Sequence, residues 1–130
     1  MTKRQMEKLV IWWQGVLRMR DFEIRLETCS GEEVDFAGNV AEVGRYSDET
    51  GARIRIARGQ TALCAEQSIV HELLHVKLDP MRRPMKEALA QLPPQAKEIA
   101  GALCHQEEER LVELLATALV QLKHTTPKGG

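Results

Sequence analysis

Ile69-Val70-His71-Glu72-Leu73-Leu74-His75 is the stretch on which the reading of this 130-residue chain turns. Around it Leu63, Ile69, Val70, Leu73, Leu74 and Leu78 recur at helical spacing, which predicts a helix from just beyond Gly59 to a stop at Asp79-Pro80. Residues four apart lie one turn apart on one helix face, so His71 and His75 reach a single cation. Glu72 sits one step round, where it meets a water on that cation. Zinc takes imidazole nitrogen in tetrahedral sites, and a catalytic site uses three protein ligands and leaves the fourth place open. The plain alternative is a pair of solvated surface histidines. Against it, the leucines and valines around them bury most of the helix, and buried histidines need partners.

The third ligand has to come from elsewhere. A metzincin would carry a third histidine six residues beyond His75, where this chain has Met81. The last helix instead holds His105-Gln106-Glu107-Glu108-Glu109-Arg110-Leu111-Val112-Glu113. Its run of glutamates has a bland use in complementing a helix dipole, but one of them can turn inward. Glu109 with Glu113 offers a pair four apart, one carboxylate for the metal and one to receive a ring N–H from a ligand histidine. Glu108 is the competing ligand, because it is in phase with Leu111, Val112, Leu115 and Leu119. Helix phase leaves both open.

Working outward, Met6, Leu9, Val10, Trp13, Val16 and Leu17 predict an amphipathic helix over residues 2–19. Phe22, Ile24 and Leu26 alternate with charged residues and predict a first strand. Residues 34–43, with Gly38 inside them, predict a second strand. The alternation Arg53-Ile54-Arg55-Ile56 predicts a third, closing a three-stranded antiparallel meander. Residues 80–94 are punctuated by prolines, with a short helix expected over 85–92, and a final helix is expected from Pro93-Pro94 to about Lys123. The fold class is α+β, one domain over residues 1–124 followed by a polar tail at 125–130.

Composition narrows the function classes. With 43% hydrophobic and 28% charged residues and a formal net charge of −1, the chain suits one globular domain and carries no electrostatic footprint for nucleic acid. No apolar run approaches the roughly 20 residues needed to cross a bilayer, and no signal-peptide core follows the N-terminus, so a cytoplasmic protein is expected. Cys29, Cys64 and Cys104 form no Cys-x-x-Cys pair and are expected to be reduced and mostly buried.

In its order of elements and in His71-Glu72-Leu73-Leu74-His75 followed by a glutamate-bearing helix, the chain resembles the minimal gluzincin zinc peptidases, the minigluzincins. The resemblance implies a minimal zincin-like fold and one Zn²⁺ held by His71, His75 and Glu109. It also implies Glu72 as general base and Glu113 as the carboxylate behind a ligand histidine. Val112 and Glu113 replace the small residue and Asn/Asp of the related pattern. In that family the last strand of the meander lies along the cleft and pairs with an extended substrate. Arg53, Ile54, Arg55 and Ile56 are the matching residues, although an edge strand guarded by arginines reads the same way. Short proteins of this kind can be latent, and the tail 125–130 is the segment that would fill the cleft.

A peptidase also needs a donor for the developing oxyanion, and the candidates are His105, one turn before Glu109, and Tyr46 in the hairpin tip. Two functions from different classes follow. One is a zinc-dependent endopeptidase acting on a protein or peptide, and the other a noncatalytic binding or regulatory module on the same scaffold. Nothing in the sequence identifies the substrate or the oligomeric state.

Overall fold

The structure is a computed structural model that describes residues 1–29, 41–45 and 51–125. Thr2 starts the first helix, α1 (Lys3–Val16), with a capping box: Gln5 N–H donates to Thr2 Oγ1 at 3.2 Å and Thr2 N–H donates to Gln5 Oε1 at 2.8 Å. The helix ends earlier than its apolar pattern predicts, because the chain turns back on itself. Met19 N–H donates to Gln14 O at 2.7 Å while Arg18 takes φ of 57°, the left-handed conformation of a helix C-terminus. The Gln14 side-chain amide, itself buried, fixes this turn by donating to the carbonyls of Met19 and Phe22 at 3.0 and 2.9 Å.

Three strands follow: β1 (Glu23–Cys29), β2 (Ala41–Arg45) and β3 (Gly51–Ala57). The fold is α+β, but the sheet is not the antiparallel meander expected from sequence. Its order is β1-β3-β2, with β2 antiparallel to β3 and β1 parallel to it. The alternation identifies the strands; what it lacks is the choice of partner for β1. Ala52, Ile54 and Ile56 on β3 are fully buried, so this strand takes the centre of the sheet. On the other face Glu27 of β1 lies beside the arginines of β3 and pairs with Arg53 at 3.8 Å. The predicted second strand falls partly at residues 34–40, outside the described residues.

The second helix, α2 (Ala62–Ala90), is capped by Thr61, whose hydroxyl accepts from Cys64 N–H. It does not stop at Asp79-Pro80. It continues through Pro80 and Pro84 and replaces the separate short helix expected over 85–92. Each proline removes one amide donor from the helical ladder, a cost of about 3 kcal/mol in an ordinary helix interior. The side chain of Arg82, between the two prolines, ties this stretch to Glu108 of the last helix, α3 (Pro94–Thr125). Proline at the start of α3 agrees with the expected boundary. The tail beyond Thr125 lies outside the described residues.

One core joins α1, β1, β3, α2 and α3. Met6, Val10 and Trp13 of α1, Leu26 of β1, the inner residues of β3, Ile69, Val70, Leu73 and Val76 of α2, and Val112, Ala116 and Val120 of α3 pack together. Leu63, expected on the core face of α2, is instead exposed, as is Cys64; among the cysteines Cys29 alone is buried. Among the described residues no helix is long and apolar enough to cross a membrane.

A buried carboxylate that no sequence pattern signals locks three helices together. Glu66 is 3% exposed and accepts from Trp13 Nε1 at 2.8 Å, Lys123 Nζ at 2.5 Å and His124 Nε2 at 2.6 Å. Burial alone would raise the Glu66 carboxyl, but the hydrogen bonds from Lys123, His124 and Trp13 outweigh it and hold the pKa below its ordinary value. A carboxyl lowered in the folded state stabilises that state fully above its unfolded pKa, and the contribution disappears as pH falls through the folded value. The urea midpoint is therefore expected to fall as pH drops from about 5 to about 3, and to fall less steeply in Glu66→Gln. Circular dichroism at a series of pH values measures this, and equal slopes in the two proteins would remove the assignment.

Candidate metal centre

His71 and His75 project from successive turns of α2 toward α3, which runs past them carrying Glu113, Glu109 and Glu108. The three predicted ligands converge. His75 Nε2 is 2.8 Å from one Glu109 oxygen, His71 Nε2 is 3.4 Å from the other, and the two Nε2 atoms are 3.2 Å apart. Ligand atoms around a tetrahedral zinc, with bonds of about 2.0–2.1 Å, are about 3.3–3.4 Å apart, so this spacing fits the ion. The donor chemistry points the same way. Two imidazole nitrogens facing each other share at most one proton, and a cation between them satisfies both lone pairs.

Nδ1 of His71 is 2.9 Å from Glu113 Oε2, which can only accept there, so Nδ1–H donates to it and Nε2 is the ring nitrogen turned toward Glu109. Glu113 thus stands at the ring nitrogen of His71 that faces away from Glu109. Glu108 does not join the three converging donors. It turns to the other side of His75, with Oε2 3.3 Å from Nδ1.

Arg82 completes that side and was not anticipated from the sequence. Its Nε and Nη2 donate to the two Glu108 oxygens at 2.9 and 2.5 Å, and Nη2 is also 3.0 Å from His75 Nδ1. The guanidinium holds the Glu108 carboxyl below the usual carboxylate range against the opposing effect of burial. Nδ1 of His75 is thus flanked by a donor, Arg82, and an acceptor, Glu108, while Nε2 is the ring nitrogen turned toward Glu109 and His71. Burial lowers the His75 pKa despite the neighbouring carboxylates, which favours the neutral ring that ligation requires. No pattern in the sequence signals Arg82, because it lies in the proline-punctuated stretch and 26 residues from its partner.

Glu72 is 6% exposed, and its Oε1 lies 3.9 Å from His71 Nε2, so the carboxylate stands beside the nitrogen that faces Glu109 and does not point away from it. His105 is exposed. With Glu108 and Glu109 it forms a second group whose donor atoms lie within 4.8 Å of one another. Tyr46 lies outside the described residues. Arg53, Ile54, Arg55 and Ile56 do not form a substrate-binding edge: β3 is the middle strand, its backbone engaged by β1 on one side and β2 on the other. Ile54 and Ile56 are fully buried, and the arginines lie on the charged outer face with Glu27.

Comparison with protein-family models, with curated proteins and with solved structures returned no match to this chain.

Proposed function

We propose that the chain is a zinc-dependent endopeptidase of the minimal gluzincin type, on a small zincin-like fold, that hydrolyses peptide bonds in a protein or peptide substrate. The observation that carries the reading is the convergence of His71 Nε2, His75 Nε2 and the Glu109 carboxylate, with Glu72 beside them. Those three residues would hold the ion, with Glu113 behind the His71 ring and the Glu108–Arg82 pair behind that of His75. Zinc bound there supplies a Lewis acid and lowers the pKa of water from 15.7 to about 7. Glu72 takes the proton of the attacking water and delivers it to the leaving amine. His105, whose donor nitrogen lies within 4.8 Å of the Glu109 carboxylate, is the residue assigned to the developing negative charge.

Elemental mass spectrometry on protein purified without a metal-affinity tag tests the centre. Zinc near one ion per chain is expected in wild type and none in His71→Ala or Glu109→Ala. Glu108→Ala keeps a measurable site weakened by about 10- to 100-fold, as for other residues that orient a ligand. Wild-type protein that takes up no zinc from an excess, or Glu108→Ala that loses it as completely as Glu109→Ala, would overturn the assignment.

A further inference from the structure

The outer face of α1 carries a second feature, unconnected with the metal centre. The neighbours Ile11 and Trp12, and Val16 one turn beyond Trp12, are 69%, 47% and 48% exposed. With Phe22 they line a groove of about 880 Å³ whose lining also includes the cations Lys8 and Arg20. The groove exists because the left-handed turn at Arg18 brings the chain back alongside the helix. Gly15 leaves the room: a Cβ there would lie 3.0 Å from Arg20 Nη2, so the guanidinium rests against bare backbone. Among the described residues neither Lys8 nor Arg20 makes an ion pair or hydrogen bond. The Lys123 ammonium lies over the Trp12 ring, 4.5 Å from its centroid. Lys123 is also about 21 Å along α3 from Glu109.

From these observations we infer that the groove is a docking site for an acidic amphipathic helix of a partner protein, one that lays aliphatic side chains against Ile11, Trp12, Val16 and Phe22 and carries carboxylates to Lys8 and Arg20. Charge complementarity selects this occupant. Two cations in the lining of an apolar groove match carboxylates that flank aliphatic residues. A second copy of the chain is disfavoured, because a two-fold contact would set Lys8 and Arg20 against the same cations. A bilayer is disfavoured by shape: helices that lie in a membrane interface present a convex apolar face, whereas this surface is a concavity that receives side chains.

Fluorescence anisotropy tests the inference with a labelled synthetic helix of about 14 residues, leucines on one face and glutamates along its flanks, beside a version with lysines replacing the glutamates. The acidic peptide is expected to bind saturably. Trp12→Ala weakens it, and the double change Lys8→Glu with Arg20→Glu weakens it by about tenfold or more while creating affinity for the lysine peptide. Unchanged far-ultraviolet circular dichroism and melting temperature in these surface variants exclude a folding effect. Absence of saturable binding up to about 1 mM peptide, or binding indifferent to charge reversal, overturns the proposal. So does co-sedimentation with phosphatidylserine vesicles without peptide binding, or a dimer in analytical ultracentrifugation that Trp12→Ala dissolves.

Discussion

Glu72→Gln protein is expected to keep its zinc and its fold while cleaving an unfolded, fluorescence-quenched protein substrate about 100- to 10,000-fold more slowly than wild type. The substitution is isosteric and removes only the capacity to take a proton. Glu72 is not among the three converging donors, so metal content should not change. The pairing of the two readouts gives the experiment its force. A variant that loses metal along with activity would make Glu72 a ligand or a structural residue. Wild-type protein that holds zinc and cleaves nothing would leave the scaffold as a binding or regulatory module, and equal cleavage by both proteins would remove Glu72 from the chemistry.

Trp13→Ala is expected to have the largest effect on stability, about 3–5 kcal/mol, read as a lowered urea midpoint. The indole is 1% exposed, so its removal opens a cavity in the core and also takes away one of the three donors to Glu66. Trp13→Phe is the intermediate change. It keeps an aromatic ring in the core but loses the N–H together with part of the indole, so it should cost less than Trp13→Ala while still removing a hydrogen bond to a buried charge worth about 1–3 kcal/mol. Trp12→Ala, next door, removes a half-exposed side chain in edge contact with Trp13 and should cost far less than Trp13→Ala. A Trp13→Ala protein as stable as Trp12→Ala would show that the Glu66 cluster contributes nothing to the fold.

What is legible in the sequence is what local periodicity encodes. A four-residue spacing on a helix determines where two side chains point regardless of the rest of the fold, so the spacing alone puts His71 and His75 on one face. It places Glu109 and Glu113 relative to each other in the same way. Which glutamate faces the histidines is not legible, because it depends on the rotation of α3 against α2. The sheet order is not legible either. Alternation in Arg53-Ile54-Arg55-Ile56 marks a strand with one buried face, but fully buried Ile54 and Ile56 belong to a centre strand, and sequence adjacency wrongly suggests an edge. At Pro80 a reliable local stop signal is overridden by tertiary contacts, the Arg82 ion pair with Glu108 among them. Arg82, Glu66, Lys123 and His124 escape a sequence reading for one reason: each finds its partner more than 20 residues away, and no short pattern records such pairs.

Residues 77–111 of the α2–α3 hairpin contain no buried side chain, although they make up more than a quarter of the chain. His71 and His75 stand at the base of this arm, where the last buried residue of α2, Val76, and the first of α3, Val112, mark the edge of the core. Cross-links at His71 with Glu113, His75 with Glu109 and Arg82 with Glu108 already set how the two helices slide against each other. The arm's outer reach is therefore a free dimension. Whole turns added to or removed from both helices beyond Arg82 and His105 alter how far it extends, and leave the alignment of the site where the core has set it.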